Sequence, residues 1–368
     1  MRLLFSFVAL AAAVVAAPAP IPVLVPATTP DEAGTPGKCT QENALVRKEW
    51  SALTTDEQQG YIDAVWCLRG KPAVLPSDQY PGVKDRVDDF VATHINYTMV
   101  IHRNGVLLPW HRHYVYLWER ALRNECGYKG TVPYWNWSSN TNLPTNPIFD
   151  TTQPASLSGS GTYNATEQSL RGPEVIVLPP GTGGGCVLDG PFKDWPVHMG
   201  PFAPQLVYPY APLPANAFAY SPSCLKRNLQ SATIQRFNNI TVVESLQNAD
   251  SIASFLNLLD HRDGGLGAHG GGHVSVGPTM ADVFASPQDP IFMLHHGMID
   301  NLWSGWQRSG SVAENRLKAL NGTAIYFDPP GAELVNLDSV MEFGPLDEPV
   351  RIGEVMDVTK GEYCYRYE

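Results

Sequence analysis

The chain has 368 residues, a formal net charge of −11, ten histidines and six cysteines. That length buries a large core, as one big domain or two ordinary ones. The acidic balance, with no basic run, argues against nucleic acid and against an anionic membrane surface as partners; small neutral substrates remain open.

At the N-terminus, Met1-Arg2 leads into an apolar run from Phe5 to Ala16 that closes on the small residues Val15-Ala16-Ala17. This reads as a secretory signal peptide over 1–17, too short to span a membrane. No later stretch approaches the ~20 apolar residues a span requires, so the mature protein is expected to be soluble and extracellular. Residues 18–38, rich in Pro, Ala and Thr, read as a flexible leader, and 39–368 as a single domain. Cys39, Cys67, Cys126, Cys186, Cys224 and Cys364 follow the signal and include no CxxC pair. Disulfides are therefore expected, with all fifteen pairings open. Asn-x-Ser/Thr sites at Asn96, Asn136, Asn164, Asn239 and Asn321 fit secretion.

Residues 43–69 show a helical pattern with Thr54-Thr55-Asp56 as a cap. A second helix is expected over 85–99, carrying His94. Gly105 suits a helix end and Pro109 a helix start, and the helix over 109–125 stops at Gly127. From about 140 to 223 Pro, Gly, Ser and Thr dominate, which predicts an elaborated loop layer. Residues 248–260 return to a helix. Asp289 then reads as an N-cap and Pro290 as the first helical residue of a segment that contains His295 and His296. Beyond Ser309 come short strand-like runs, over 350–353 and 363–367.

The histidines carry the chemistry. His269 and His273, four apart, lie on one face of a helical turn and can reach one metal ion. His102 and His111 are nine apart, which on one unbroken helix puts them ~13 Å apart on opposite faces. They can share an ion only across a break, and Gly105 and Pro109 supply one. His94 must arrive from a bend or a neighbouring segment. The result is two triplets: His94, His102 and His111, then His269, His273 and one of His295 or His296. Neutral imidazoles without Cys, Asp or Glu at ligand spacing suit copper, zinc or iron. His113 is expected to face elsewhere on its helix, and His198 and His261 show no partner pattern.

Leu-Pro-Trp-His-Arg-His-Tyr ending at Tyr114, His269-x3-His273, and Asp-Pro-Ile-Phe-Met-Leu-His-His-Gly-Met-Ile-Asp-Asn-Leu-Trp from Asp289 together resemble the type 3 copper proteins: tyrosinases, catechol oxidases and haemocyanins. The resemblance covers roughly 40–367. It implies a mainly α fold whose central four-helix bundle holds a dicopper centre, with long loops and a few short β-strands. It also implies two copper ions held by His94, His102, His111, His269, His273 and His296, the last chosen over His295 because the family places its sixth ligand four residues before an Asp, here Asp300. Arg47 matches the arginine that pairs with that Asp, and Tyr365-Arg366-Tyr367 matches the tyrosine motif that closes the core domain. The chain stops there, so no C-terminal lid domain is expected. The substrate pocket is expected from Gly270, Val274, Val283, Phe284 and Phe292, with Val283 or Phe284 at its entrance.

The expected reaction is oxidation of o-diphenols to o-quinones with dioxygen reduced to water. Dioxygen and small phenols are thus the partners. Monophenol hydroxylation, o-aminophenol oxidation and a haemocyanin-like oxygen carrier are the alternatives. Departures from the family bear on this: Val100 stands where many fungal relatives carry a thioether-linked Cys, Leu107 replaces a Phe, and Asn136 replaces an Asp. Gly270 stands where monophenol-hydroxylating relatives often have Asn. No Glu precedes His269, and only Asp260 and Asp263 are candidates to activate a phenol.

Overall fold

The computed structural model describes residues 39–163, 168–171, 175–202, 213–261, 265–310 and 313–368. The signal and leader segments, Asn164 and Asp263 lie outside these. Local capping chemistry sets the helix starts. Thr54 Oγ1 accepts from Glu57 N while Glu57 Oε2 accepts from Thr54 N, which opens α1 (Thr55–Arg69). The Asp85 carboxylate accepts from the amides of Val87 and Asp88 and opens α2 (Arg86–Ile101). The predicted break follows, with His102 in extended backbone, before α3 (Leu107–Cys126) ends on left-handed Gly127. Helices α4 (Ser231–Phe237), α5 (Ile240–Gln247), α6 (Ile252–Asp260), α7 (Ala268–Val276) and α8 (Phe292–Arg308) complete the helical body.

Three expectations are corrected. Residues 45–47 are not helical: Leu45–Arg47 is a strand that pairs in parallel with Tyr365–Tyr367, so its backbone groups are satisfied across the ends of the chain. The last helix of the core starts at Phe292 rather than Pro290. Asp289 precedes it by three residues, where its carboxylate accepts from Ile291 N and also takes a two-pronged bond from buried Arg227 (2.9 and 2.6 Å). The run 350–353 is extended only at Val350–Arg351 and then turns into a short helix, Ile352–Val355.

Helices α2, α3, α7 and α8 form the central bundle, with α3 packed along α8 and α1 buttressing α2 and α3. Trp110, Trp118, Trp135, Trp137, Trp303 and Trp306 are all buried in one continuous core, and full burial of a large apolar side chain contributes roughly 1.5–3 kcal/mol. The layer over 140–223 contains short antiparallel pairs, Gly161–Tyr163 with Gly184–Val187 and Pro196–Val197 with Ser223–Cys224. Three disulfides close the frame: Cys39–Cys364, Cys67–Cys126 and Cys186–Cys224. Among the described residues, no helix is long and apolar enough to cross a membrane.

Behind the bundle, Asp300 gathers both ends of the chain. Its Oδ1 accepts from Arg112 Nε at 2.6 Å. Its Oδ2 accepts from Tyr365 and Tyr367 at 2.7 and 2.6 Å and from Arg47 at 3.4 Å. Arg47 also donates to Glu119 at 3.1 Å, so two buried cations face two buried anions.

Candidate metal centre

Two groups of imidazoles meet inside the bundle. One ring nitrogen each from His94 (α2), His102 (the break) and His111 (α3) lies within 4.8 Å of the others; the same holds for His269 and His273 (α7) with His295 and His296 (α8). The groups face each other, with His102 stacked on His269 at 5.9 Å and His111 on His296 at 4.3 Å between ring centroids.

The break does what the spacing required. Freed from a helix, His102 turns its Nδ1–H back onto the Thr98 carbonyl (2.9 Å), while His111 bonds Leu107 O at 2.8 Å. His94 bonds the Phe284 carbonyl at 2.7 Å and His273 the Met280 carbonyl at 2.8 Å. His269 differs: its Nδ1–H goes to a carboxylate, Asp260 Oδ1, at 2.9 Å. The outer bond fixes each ring's orientation, and the second nitrogens of His269 and His273 point at one another, 3.1 Å apart, as two ligands of one ion would.

Those outer bonds also separate His295 from His296. Trp137 Nε1–H donates to His295 Nδ1 at 3.0 Å, which occupies that lone pair and places the proton of the neutral ring on Nε2. His296 has no hydrogen-bond partner on either nitrogen, although it is buried. A buried imidazole left bare is costly, and a metal ion satisfies it. The orphaned Nε2 atoms of buried His94 and His111 make the same demand, and the Nε2 of His295 is also without a partner among the described residues. Gly272 explains why α7 tolerates glycines: a Cβ there would come within 2.2 Å of the His295 ring.

Burial keeps the rings neutral, as ligation requires. It pushes the pKa of His94, His111, His273, His295 and His296 well below the ordinary range, with neighbouring histidines adding to the effect. His102 is lowered to about 4 by burial and by His269. Burial alone would raise Asp260, but the hydrogen bond from His269, with the Arg103 guanidinium nearby, outweighs it and brings the carboxyl to about 2. The donor set fits two copper ions: six neutral nitrogen ligands, with no anionic ligand forced on either ion.

The cavity over the centre is lined by His102, Arg103, Asp260, Leu266, His269, Gly270, His273, Val274, Met280, Ala281, Val283 and Ser286. Of the expected pocket residues, Gly270, Val274 and Val283 are in this wall. Phe284 and Phe292 are not. Phe284 is buried in a separate apolar cluster and contributes its carbonyl to His94. Phe292 is the floor, stacked on His296 at 4.3 Å and packed edge-on to His94 at 5.2 Å. Asp260 spends both oxygens, on His269 and on the Arg103 amide.

Other expectations resolve as follows. His113 points away from the centre, bonding Tyr363 Oη and Asp347, and His198 bonds Asp88. Both clusters contain carboxylates, but Arg120 and Arg69 already pair with them, which disfavours a cation. All six cysteines are in disulfides, and Val100 is 43% exposed, so no cysteine is available to cross-link a ligand ring. Sequence reasoning missed Arg103, Leu266 and Met280 in the wall and the grip of Trp137 on His295. The one legible sign was the charge of Asp260 at the end of an apolar helix.

Residues 84–309 match the family model for the common central domain of tyrosinase. The chain is 61% identical to N-acetyl-6-hydroxytryptophan oxidase ivoB of Emericella nidulans, over all of both chains. It is 47% identical to tyrosinase P of Aspergillus terreus, over 88% of this chain and 91% of that one. Among solved structures it resembles a variant of the polyphenol oxidase from Thermothelomyces thermophila. That match has a TM-score of 0.82 and 34% identity over 90% of each chain.

Proposed function

Because this chain belongs to the tyrosinase family of type 3 copper proteins, we propose that it oxidises small hydroxylated aromatic substrates with dioxygen at a centre of two coppers. His94, His102 and His111 would hold one ion and His269, His273 and His296 the other. Copper, when bound, supplies the redox chemistry that couples oxidation of the substrate to reduction of dioxygen. The observation that carries this reading is the pair of facing imidazole triplets, with buried nitrogens that no protein group satisfies.

The protein's own contribution is orientation. Five of the six rings are fixed from behind by hydrogen bonds to carbonyls or to Asp260, and the sixth is clamped between His111 and Phe292. His269 is the one ring of the set held from behind by a carboxylate, Asp260. Leu266, Val274, Met280 and Val283 give the cavity apolar walls that suit a flat ring and exclude water.

Two substrate classes are favoured. The relative named for N-acetyl-6-hydroxytryptophan, aligned over its whole length, supports an N-acylated hydroxyindole. The engagement of both Asp260 oxygens supports o-diphenols, oxidised to o-quinones, over unactivated monophenols, because the carboxylate is not free to take a phenolic proton. The three disulfides support folding in an oxidising compartment, in line with the signal-like N-terminus.

The test is copper analysis combined with oxygen uptake on catechol, tyramine, o-aminophenol and N-acetyl-6-hydroxytryptophan. Two coppers per chain and uptake with catechol or the hydroxyindole are expected, with tyramine slow. A metal-replete sample with one ion or none, or no uptake with any of the four, defeats the proposal.

A further inference from the structure

We propose that Arg103 is a specificity-determining residue that binds a carboxylate on the substrate, so that the preferred aromatic is an acid rather than the matching neutral amide. This rests on the reading of the site as a phenol or hydroxyindole oxidase, and it identifies the part of the substrate that lies away from the coppers.

Four observations carry it. First, Arg103 lines the cavity beside His102, in a wall otherwise made of ligand rings, apolar side chains, Gly270, Ser286 and Asp260. Among the described residues it is the one arginine or lysine in that wall. Second, its guanidinium is held by neutral groups. Nη1 donates to the His261 carbonyl at 2.5 Å and Nη2 to the Gly265 carbonyl at 2.9 Å. Among the described residues, no carboxylate lies within ion-pair distance of the guanidinium. The nearby Asp260 spends one oxygen on the backbone amide of Arg103 and the other on His269, so it holds the loop rather than the side chain.

Third, the Nε–H of Arg103 is buried and has no acceptor among the described residues. Arg103 is only 3% exposed, and a buried donor without a partner is unfavourable. A carboxylate entering the cavity supplies an acceptor and a counter-charge together, in a charge-assisted hydrogen bond. Fourth, the backbone at Arg103 is left-handed, with φ +51°. Glycine adopts that conformation at no steric cost. A long cationic side chain is kept there instead, and the Phe327 amide bonds the Arg103 carbonyl at 3.2 Å, locking the turn. The Phe327 ring lies 5.2 Å from the guanidinium carbon, as a further prop. A guanidinium anchored at two points before substrate arrives loses little freedom on binding.

The geometry assigns the two ends of the substrate. The hydroxylated ring goes toward the His102, His269 and His273 rings, and the acid end toward Arg103 at the Leu266 side. An N-acylated amino acid has both features. The corresponding N-acyl amine has the ring but no anion.

The experiment uses the copper-loaded protein and two probes without a hydroxyl group, N-acetyltryptophan and N-acetyltryptamine, which differ only by the carboxylate. Dissociation constants come from calorimetry. In the wild type the acid is expected to bind about tenfold more tightly or better, the scale of one buried charged hydrogen bond. Arg103→Gln should bring the ratio near one, and Arg103→Lys should keep part of the preference. Because the guanidinium also bonds the His261 and Gly265 carbonyls, copper content and circular dichroism accompany each variant. If Arg103→Gln fails to fold, the wild-type ratio and Arg103→Lys decide. Equal affinities in the wild type, or a preference undiminished in Arg103→Gln, overturn the proposal. Failure of the oxidase reading looks different: no phenol or hydroxyindole is consumed, whatever the binding ratio.

Discussion

At the scale of single residues, the histidine pair His295-His296 shows how hydrogen bonds decide between neighbours that look alike. Nothing in the sequence pattern separates them, because both lie among apolar residues of one helix. Their surroundings differ through Trp137, whose indole N–H bonds Nδ1 of His295, whereas neither nitrogen of His296 has a partner among the described residues. His296→Ala is expected to lower copper from two ions per chain to about one and to abolish oxidation, whereas His295→Asn should keep both ions with altered activity. Elemental analysis of the two variants settles the assignment, and the reverse pattern would refute it. The buried rings also fix a pH response. The pKa of His102 falls from the ordinary 6.5 to about 4 in the folded protein. The unfolded chain therefore takes up protons first as pH falls through 6.5, and the folded state is progressively destabilised between about 6.5 and 4. The melting temperature should fall across that window; an equal value at pH 7 and pH 4 would contradict it.

At the scale of elements, helices with strong local signals were legible in advance. The helix expected over 85–99 is present as Arg86–Ile101, and the cap at Thr54 and the stop at Gly127 stand where the sequence placed them. So does the break between His102 and His111, because glycine, proline and metal geometry agreed there. What was not legible depended on partners far along the chain. Leu45–Arg47 is a strand only because Tyr365–Tyr367 lies beside it, and the hold of Arg227, 62 positions away, on Asp289 has no local sequence signal. The pocket was misjudged at Phe284 and Phe292 for a related reason: a side chain next to a ligand in sequence can lie above, beside or beneath it. Helix α7 shows the reverse relation, in which a poor helix former is kept for space. Gly272→Ala should raise local helix propensity yet destabilise the protein by roughly 1–3 kcal/mol, because the new methyl displaces the His295 ring. A melting temperature equal to or above that of the wild type would show that the ring has room to move.

At the scale of the whole molecule, the site depends on how the ends of the chain are tied. Asp300 lies one helical turn beyond His296 and collects Arg47 from the first strand, Arg112 from α3, and Tyr365 and Tyr367 from the last. Asp300→Asn leaves two buried guanidinium groups short of counter-charge, a loss of about 3–5 kcal/mol. A drop of several degrees in melting temperature is expected, together with weaker copper retention, since α8 carries both. An unchanged melting temperature would mean that the arginines find other acceptors.

The bond between Cys39 and Cys364 spans 325 positions. From the first described residue to almost the last, the polypeptide is in effect a closed ring. A single cut by a protease in the exposed turn around Gln153 would open that ring without releasing either piece. The nicked molecule would run as one band on a gel until a thiol is added, and then as two.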